Sequence, residues 1–426
     1  MIAILFLIFI VLLVMGLPVV FSMGISSLIY SLFFCSSSPI EIIIAHRISF
    51  ALYSWPLLAI PFFITAGLIM NNGGITKRIF TFVNSLVGHI TGGLGHVNVV
   101  ASLIFAGMSG SAAADCGGLG QIEMEAMNKA GYDPGFSAAI SAASACIGPI
   151  FPPSISLILY GIIAEQSIIK LFAGGILPGI IMSIMLMVVI YILAKSKKIK
   201  CPVTPRAPIL VVWRNFKEAF FALLLPIIIL GCILSGVTTP TETGIIACVY
   251  ALVLGFCYGE LKLSEFPTLF KEISQMIAVP MFIIAMSYIF SWLVILEQLP
   301  QFFSVWMLSI TENPIIILFG LSIIMFIAGC FMEPTAILLI MAPIFIPLAK
   351  TVGINLIHLG LIMSLNMTIA TMTPPVGMGL FILSNISNVK IERIFIASIP
   401  FIGALMISLI VIILFPQTVL FLANIF

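Results

Sequence analysis

Long apolar segments, separated by short polar stretches, constrain the fold of this chain more than any other feature. Eleven of them run approximately over residues 2–35, 52–70, 96–113, 136–163, 168–194, 219–235, 244–258, 276–296, 313–348, 357–386 and 394–422. Hydrophobic residues make up 62% of the chain and charged residues 8%, a balance that rules out a soluble protein. Inside a membrane every backbone polar group needs an internal partner, and these segments are too long and too uniformly apolar for barrel strands. We therefore predict an all-α polytopic membrane protein.

The first apolar segment leaves two alternatives open. Pro18 and Gly24 either kink one helix or separate two short ones, and the similar place of Pro226 in the second half favours two. Residues 1–21 contain no Lys or Arg and the apolar run continues past Pro18. We therefore expect this segment to stay in the membrane rather than to be cleaved as a signal peptide.

Cysteine and histidine form no recognisable site pattern. The 8 Cys are scattered without a C-x-x-C pair, and the 4 His (His46, His89, His96 and His358) share no ligand spacing. We predict neither a disulfide framework nor a zinc, haem or organic cofactor site.

A pattern of Gly, Pro and Ala recurs at a constant offset of 222 residues. Six pairs align without a gap: Ala106/Ala328, Gly107/Gly329, Gly131/Gly353, Pro152/Pro374, Pro153/Pro375 and Pro178/Pro400. Gly and Pro restrict backbone geometry more strictly than other residues, so their match is a stronger signal than a match of apolar residues. The pattern predicts an internal repeat that covers most of the chain.

The basic residues orient the two repeats. Placing the basic run from Lys195 to Lys217 in the cytoplasm puts fourteen of the seventeen Lys and Arg residues inside and leaves Arg47, Lys170 and Lys350 outside. The loop at 131–133 then faces the cytoplasm, and its counterpart at 353–355 faces the outside. Repeats of opposite orientation are typical of secondary transporters.

We divide the chain into two inverted repeats on this basis. Residues 1–218 hold scaffold helices, an interfacial arm at 75–91, a re-entrant hairpin at 96–130, a broken helix at 136–163 and a cytoplasmic linker at 195–218. Residues 219–426 hold scaffold helices, an arm at 300–312, a hairpin at 313–350 and a broken helix at 357–387.

The first arm spaces apolar residues along one helical face: Ile75, Ile79, Phe82, Leu86 and Ile90. This pattern suits either plain anchoring at the membrane surface or a link between a fixed frame and a moving body.

Two hairpin tips and two helix breaks are the candidate site for chemistry. The tips are predicted at 107–111 and 329–334, and the breaks at 148–154 and 371–379, where paired prolines interrupt apolar helices. Non-helical backbone is tolerated in a membrane only where it lines a polar cavity or is buried in protein. Freed carbonyls there can bind a cation, and the N-terminus of the following half-helix can face an anion.

Hydroxyl and carboxyl side chains stand close to these tips and breaks. They are Ser109, Ser111, Ser154, Thr373, Asp115 and Glu333. We interpret them as ligands for Na⁺ or substrate. The alternatives are that the hydroxyls bond carbonyls of their own helices and that the acids are neutral structural groups. Glu123 and Glu125, near the cytoplasmic end of the first hairpin, are expected to be solvated and are left out of the site.

An enzyme is the competing function. Gly107–Gly110 matches the G-x-S-G signature of rhomboid intramembrane serine proteases, but a serine nucleophile needs a base within hydrogen-bond reach. The one candidate base, His358, is predicted near the outer surface, which disfavours an intramembrane serine protease. No G-x-x-x-x-G-K-[ST] sequence occurs, so energy has to come from an ion gradient.

Several stretches resemble, in the same order, the large membrane subunit of the tripartite ATP-independent periplasmic (TRAP) transporters. They are Pro-Phe-Phe at 61–63, Asn-Gly-Gly at 72–74, GMSGSAAADCGGLG at 107–120, GPIFPPS at 148–154, Thr-Pro-Thr-Glu at 239–242 and Thr-Pro-Pro-Val-Gly at 373–377. The resemblance spans nearly the whole chain. It implies an elevator-type symporter of the bacterial inner membrane that imports a small organic anion with Na⁺.

The resemblance also implies partners. A soluble periplasmic substrate-binding protein delivers the anion, and a small four-helix membrane subunit works beside the large one. Because Met1 opens directly into the large-subunit pattern, the small subunit is expected to be a separate chain. Membrane lipid is the remaining partner, and no nucleic acid is expected.

The resemblance assigns site residues only where the motifs match. The predicted substrate-binding residues are Ser109, Ser111, Ser154, Glu333, Thr373 and Gly377. The predicted ligands for two Na⁺ ions are Ser109, Ser111, Asp115, Gly148, Gly329, Thr371 and Thr373. The choice between sialic acid and a C4-dicarboxylate stays open, and proton coupling through Asp115 or Glu333 remains the alternative to Na⁺.

Overall fold

The computed structural model describes residues 2–34, 40–196, 201–202 and 205–426, and within these ranges every regular element is helical. The first half contains α1 Ile2–Val14, α2 Val19–Phe34, α3 Ile40–Leu52, α4 Ala59–Asn72, α5 Ile75–Val87, α6 Gly93–Ser109, α7 Ala112–Gly117, α8 Leu119–Lys129, α9 Pro134–Ala145, α10 Ile155–Ala164 and α11 Ile168–Lys195. The second half contains α12 Ile209–Leu234, α13 Pro240–Cys257, α14 Phe266–Leu296, α15 Leu299–Ile310, α16 Pro314–Phe331, α17 Pro334–Thr351, α18 Leu356–Ala370, α19 Met378–Ser387, α20 Ile391–Leu414 and α21 Gln417–Ala423. Short 3₁₀-helices at Trp55–Leu58 and Leu263–Glu265 lead into α4 and α14.

Eight helical stretches in these ranges are long and apolar enough to cross a membrane. They are Trp55–Asn72, Ile168–Lys195, Ile209–Leu234, Pro240–Cys257, Leu263–Leu296, Pro314–Phe331, Pro334–Thr351 and Ile391–Leu414. Many of their apolar side chains are exposed on the protein surface, as expected for helices surrounded by lipid. The predicted all-α polytopic class is confirmed. Three residues of the predicted basic run, Lys197, Lys198 and Lys200, lie outside the described residues.

The first apolar segment forms two helices rather than one. α1 ends before Gly16, which takes φ 87°, and α2 begins just after Pro18. Phe6 and Phe9 of α1 both contact Phe290 of α14, whereas Phe21 of α2 contacts Phe282, about two turns away along α14. Gly24 lies beside Met286, so α2 runs along α14 back toward the level of Phe290, and it packs against α1. The chain therefore reverses direction between α1 and α2, which decides between the two alternatives.

The first arm is a helix packed against two others. α5 contacts α6 and α12, and it buries Ile75, Ile79, Phe80 and Val83 while Leu86 is exposed. The predicted face through Phe82, Leu86 and Ile90 is therefore partly wrong. Burial between two helices, rather than contact with a flat membrane surface, selects a rotated set of residues.

Helices recur in the second half at positions that match the first half after a shift of 222 residues. The first residues of α6, α7, α9, α10 and α11 agree with those of α16, α17, α18, α19 and α20 within one residue after this shift. Pro178 lies inside α11, and Pro400 lies inside α20. The two halves therefore share one succession of tip, break and long helix.

The halves differ in the second arm of the hairpin. In the first half this arm is divided at Gly118 into α7 and α8, whereas α17 continues without interruption. Gly118 lies against α4, because a Cβ there would fall 1.9 Å from Asn71 Nδ2. The matching positions in α17 are Leu339 and Ile340, which support a continuous helix better than Gly117 and Gly118.

Candidate functional site

A cavity of about 540 Å³ lies where the two tips and the two breaks meet. The first tip contributes residues 110–114, and the second contributes Glu333, Pro334 and Thr335. The breaks contribute Pro149, Ile155, Ser156, Thr371, Met378 and Gly379. Helices α4 and α14 close the remaining side. The fold thus gathers four segments that are far apart in the sequence around one space.

The first tip is a tight turn between α6 and α7. Gly110 takes φ 62°, and Ser111 caps α7 by accepting a hydrogen bond from the Ala114 N–H at 3.5 Å. The Gly110 carbonyl accepts a hydrogen bond from the Ile155 N–H at 3.2 Å. A Cβ at Gly110 would lie 2.5 Å from the Pro153 carbonyl oxygen. Both the positive φ and the close contact with the break therefore require glycine.

The second tip places a carboxylate at the start of α17. The two oxygens of Glu333 accept hydrogen bonds from the Thr335 hydroxyl at 2.7 Å and from the Ala336 N–H at 3.0 Å. The Cys330 carbonyl accepts a hydrogen bond from the Val376 N–H at 3.0 Å. Each tip is therefore joined to the break of its own half by one backbone hydrogen bond.

The two breaks end in the N-termini of half-helices. Ser154 caps α10, because its hydroxyl accepts from the Leu157 N–H at 3.2 Å and donates to the Pro149 carbonyl. Gly377, with φ 55°, precedes α19. The first residues of α10 and α19 line the cavity, so the positive ends of two helix dipoles face it.

A tandem proline precedes the half-helix at each break. The peptide bonds of Pro152–Pro153 and Pro374–Pro375 are both cis. Neither proline carries an N–H, so the backbone around them cannot continue the helical ladder of α9 or α18. The interruption of the two helices at these prolines, predicted from the sequence, is confirmed.

The first set of predicted cation ligands lies together at the first tip and the first break. Ser109 Oγ and both Asp115 carboxylate oxygens are buried. The two side chains interact with each other, but no hydrogen bond of ordinary geometry reaches these oxygens from the described residues. The Asp115 N–H donates to the Ser111 carbonyl at 3.1 Å. A Cβ on Gly148 would lie 3.4 Å from the Ser111 carbonyl carbon. Buried oxygens that receive no hydrogen bond suit a cation with oxygen ligands.

The second set lies at the other break. Thr373 Oγ1 is buried and finds no hydrogen-bond partner in the described part of the chain. The carbonyl oxygens of Thr373 and Thr371 lie 3.3 and 3.4 Å from the point where a Cβ of Gly377 would sit. Gly329 brings the second tip close, because its Cβ would fall 2.4 Å from Ala370 Cβ. Carbonyl and hydroxyl oxygens therefore converge at this break as well.

The predicted residues divide into those that face the cavity and those that do not. Ser111, Glu333 and Thr371 line it. The residues that are not part of its lining are Ser109, Asp115, Gly148, Ser154, Gly329, Thr373 and Gly377. The Ser154 hydroxyl is fully buried and occupied in capping, so in this conformation it does not reach the cavity.

Four polar residues of the cavity were missed from the sequence. Ser156 and Thr335 add hydroxyls, and Glu272 and Gln275 of α14 form the polar part of the opposite wall. Ser156 stands two residues after the Pro-Pro-Ser motif, which is a usable signal. No motif and no counterpart in the other half marks Glu272 and Gln275. In the sequence they resemble ordinary solvated residues near the end of a span.

One expectation of solvent exposure is wrong. Glu123, expected to be solvated, is 1% exposed, and it accepts a hydrogen bond from the Ser141 hydroxyl at 3.2 Å. Helix α8 packs the face that carries Glu123 against α9. Glu123 is therefore buried although it lies near the cytoplasmic end of the hairpin. Glu125 on the opposite face is solvated as expected and pairs with Lys129.

The geometry gives no support to a serine protease. His358 is buried, and its Nε2 lies 2.8 Å from the Ile412 carbonyl oxygen. Ser109 interacts with Asp115 and not with a histidine, so the described residues contain no serine–histidine pair around Ser109.

Comparisons with known proteins agree on one family. A family model described as the DctM component of the tripartite ATP-independent periplasmic transporters matches residues 6–418. The sialic acid TRAP transporter large permease protein SiaM of Vibrio cholerae is 40% identical over 412 residues, which cover 96% of each chain. The sialic acid TRAP transporter permease protein SiaT of Haemophilus influenzae is 38% identical over 423 residues, or 98% of this chain and 67% of that protein. The C4-dicarboxylate TRAP transporter large permease protein DctM of Pseudomonas aeruginosa is 40% identical over 371 residues, or 87% of this chain and 86% of that protein.

Two solved structures share the fold at low sequence identity. The YdaH transporter of Alcanivorax borkumensis superposes with a TM-score of 0.66 at 14% identity over 90% of both chains. The MtrF efflux pump of Neisseria gonorrhoeae gives 0.61 at 11% identity over 93% of both chains. At these identities the likeness shows the fold alone, which is that of a polytopic helical membrane transporter.

Proposed function

This chain belongs to the DctM family, the large permease component of the tripartite ATP-independent periplasmic transporters, and on that premise we propose that it imports a small organic anion by Na⁺-coupled transport. As a member of this family it is a transporter subunit rather than an enzyme, and a multi-pass protein of the bacterial inner membrane. The observation that carries the proposed coupling is that buried side-chain oxygens of Ser109, Asp115 and Thr373 accept no hydrogen bond of ordinary geometry from the described residues and belong to tips and breaks that line one cavity.

The cavity suits an anion with several hydroxyl or carboxyl groups. The N-termini of α10 and α19 favour negative charge, and the hydroxyls of Ser111, Ser156 and Thr335 offer hydrogen bonds. Relatives of 38% to 40% identity are named as permeases for sialic acid and for C4-dicarboxylates. We therefore propose sialic acid or a C4-dicarboxylate as the substrate class.

We propose that two Na⁺ ions bind behind the cavity wall. Ser109, Ser111, Asp115 and the carbonyls near Gly148 would hold one, and the residues of the second break would hold the other. Each cation would neutralise part of the substrate charge without leaving a full charge buried.

Proton coupling is the alternative, and the geometry weighs against it at one of its two candidates. Both oxygens of Glu333 accept hydrogen bonds from a hydroxyl and an N–H, which an ionised carboxylate satisfies better than an acid. Asp115 interacts with the Ser109 hydroxyl but accepts no hydrogen bond of ordinary geometry from the described residues, and uptake with and without Na⁺ distinguishes a cation from a proton there.

We propose that the two halves are inverted repeats that move as an elevator. Cys146 Sγ lies 3.3 Å from the Thr368 carbonyl oxygen, and these two positions are 222 residues apart. Equivalent positions of two repeats come into contact beside the axis that relates them, which supports a two-fold relation through the broken helices. The Arg393–Asp133 ion pair joins two loops that the basic-residue count places in the cytoplasm.

The cavity reaches the cytoplasmic half of α14 at Glu272 and Gln275, which supports an inward-facing state. In this state substrate would leave toward the cytoplasm. In the opposite state the tips and breaks would present the same cavity to the outside, where we propose that a periplasmic substrate-binding protein delivers the anion. A small four-helix membrane subunit is the second proposed partner.

Uptake into proteoliposomes tests the proposed function. The chain is reconstituted with the small subunit and the binding protein, and radiolabelled sialic acid and succinate are supplied in parallel. We expect one of them to accumulate when an inward Na⁺ gradient is imposed, and little uptake without the binding protein. Full uptake driven by a pH gradient in Na⁺-free buffer would contradict Na⁺ coupling.

Labelling of single cysteines tests the inverted repeats. Lys129→Cys and Lys350→Cys, in a background without native cysteines, place thiols at the exposed ends of α8 and α17. We expect an impermeant maleimide to label position 350 from outside intact cells and position 129 only after permeabilisation. Labelling of both from the same side would refute the inverted arrangement.

A further inference from the structure

A buried polar network joins α6, α8 and α9 away from the cavity. It contains Asn98, Ser102, Glu123, Ser141 and Ser144, each at most 2% exposed. The Ser102 and Ser144 hydroxyls are 3.0 Å apart, Ser144 donates to Asn98 Oδ1 at 2.7 Å, and Asn98 Nδ2 donates to Ser141 Oγ at 2.7 Å. Ser141 in turn donates to Glu123 Oε2 at 3.2 Å. The chain of donors therefore ends at the carboxyl group.

The carboxyl group is poorly satisfied as an anion. A carboxylate accepts hydrogen bonds at two oxygens, but Glu123 Oε2 receives one of ordinary geometry, from Ser141. Ser102 also interacts with the carboxyl group, but Oε1 receives no hydrogen bond of ordinary geometry in the described ranges of the chain. An ionised carboxylate buried with one hydrogen bond and no cation carries a large desolvation cost. The neutral acid, which adds an O–H of its own, fits this environment better.

The second half of the molecule has no acid at the equivalent place, although Asn366, at the position that matches Ser144, is buried there and donates a hydrogen bond to the Ser322 carbonyl at 2.9 Å. After the shift of 222 residues, Ile324, Phe345 and Met363 stand where the first half has Ser102, Glu123 and Ser141. Phe345 is 1% exposed and stacks on Phe303. An aromatic side chain thus fills the position of Glu123 in the second half, so packing does not require an acid at this position. A buried acid that the fold does not need is a candidate for function.

The distances between the polar atoms of the network indicate which ligand it can bind. Its oxygen and nitrogen atoms already lie 2.7 to 3.2 Å from one another, at ordinary hydrogen-bond distances. A metal ion needs several oxygens turned toward it and a space of its own. A proton needs neither, only a basic oxygen such as Glu123 Oε1.

We propose that Glu123 is a proton-binding site in the first hairpin, loaded from the cytoplasmic side and coupled to cation binding at the tip. This inference rests on the proposed Na⁺ site at Asp115. Glu123 lies six residues before Lys129, whose side chain is 75% exposed, so it is about 9 Å along α8 from the cytoplasmic end. A local opening of this last turn and a half exposes the carboxyl group to water.

The titratable groups around Glu123 are few. Helices α9 and α19, which pack against α8, carry no titratable side chain in their helical segments. Helix α7, which also packs against α8, carries two titratable groups, Asp115 and Cys116. Helix α6 carries His96, which is paired with the Thr91 carbonyl.

Helix α5 carries the basic residues that approach α8. Lys77 acts on Glu125 rather than on Glu123, and Arg78 pairs with Glu260 and stacks on Tyr258. Among the described residues, no cation therefore offsets a charge on Glu123. Asp115 is therefore the group through which cation binding at the tip would change the ionisation of Glu123.

The direction of the coupling follows from this arrangement. A Na⁺ ion beside Asp115 offsets the negative charge there and so favours ionisation of Glu123. Na⁺ binding should release a proton, and by reciprocity acidification should weaken Na⁺ binding, by at most about tenfold per pH unit for one proton. The network holds the proton in the Na⁺-free state and gives it up in the loaded state.

Proton release on Na⁺ binding is the direct test. Purified protein in weakly buffered solution is mixed with NaCl, with choline chloride as the ionic control, and the released protons are counted with a pH-sensitive dye. We expect up to one proton per chain from the wild type and none from Glu123→Gln, although Na⁺ still binds by calorimetry. Glu125→Gln, an exposed acid two residues away, should release as many protons as the wild type. Release from Glu123→Gln equal to the wild type, or Na⁺ binding without release in the wild type, would overturn the inference.

Infrared difference spectroscopy separates this inference from the proposed function. If Na⁺ did not bind at all, the proposed Na⁺ coupling would be refuted, and so would the link to the tip. The protonated carboxyl of Glu123 would still show its C=O stretching band in wild-type protein without Na⁺, and that band should be lost in Glu123→Gln. Its presence in Glu123→Gln would show that Glu123 holds no proton.

Discussion

Replacing Gly110 with alanine should disturb the joint between the first tip and the first break. An L-residue at φ 62° costs about 1 to 2 kcal/mol relative to glycine. The new Cβ would also lie 2.5 Å from the Pro153 carbonyl oxygen and 3.2 Å from Ser154 Cα, so backbone has to move. Overpacking of this kind costs about 1 to 3 kcal/mol more. We expect Gly110→Ala to lower the free energy of unfolding by about 2 to 5 kcal/mol, the sum of these two ranges.

A matched control isolates the contact from the backbone conformation. Gly236 takes φ 71°, and no atom lies within 4 Å of the point where its Cβ would sit, so Gly236→Ala carries the conformational cost alone. Both variants are compared with the wild type by reversible unfolding in mixed detergent and by the Na⁺ concentration for half-maximal uptake. We expect only Gly110→Ala to raise that concentration, because the tip carries the proposed ligands. Equal behaviour of the two variants in both assays would refute the role given to the tip contact.

Two further predictions concern single side chains. Ser109→Ala should raise the Na⁺ concentration for half-maximal uptake by a factor that corresponds to about 1 to 3 kcal/mol, because it removes a ligand of a buried ion. Ser398→Ala, which removes a buried hydroxyl bonded to its own helix at Ile394, should leave that concentration unchanged, and equal effects would count against the ligand role. Asp133→Ala should destabilise the protein by about 1 kcal/mol more than Arg393→Ala, because Asp133 also caps α9 whereas the exposed ion pair contributes little. Equal losses in chemical denaturation would contradict the capping role.

The features of the fold that could be predicted from the sequence are those set by local backbone chemistry. The apolar runs predicted the helices, and the tandem prolines at 152–153 and 374–375 predicted the interruptions. A proline lacks the backbone N–H that a helix needs, whatever the tertiary contacts around it. The division of the hairpin arm at Gly118 was not predicted. Tandem glycines are compatible with a helix or a kink, and contact with Asn71 of α4 selects the kink.

The features that were not predicted depend on contacts between distant segments. Glu123 is buried because its carboxyl group contacts Ser141 on α9, 18 residues later in the chain. No feature of the sequence near Glu123 indicates that contact. Glu272 and Gln275 face the cavity because α14 packs beside the tips. The Pro-Pro-Ser motif that ends at Ser154 correctly marked the break. In the structure, however, the Ser154 hydroxyl caps α10, and the motif alone does not predict this role.

Binding of substrate at different Na⁺ concentrations tests the central claim most directly. The purified membrane subunits are titrated with sialic acid and with succinate in NaCl and in choline chloride of equal ionic strength, and Na⁺ is titrated with and without the anion that binds. If cations at the two breaks and an anion in the cavity between them form one coupled site, Na⁺ raises the affinity for the anion, and the anion raises the affinity for Na⁺ by the same factor. Equal anion affinity in the two salts would contradict the account.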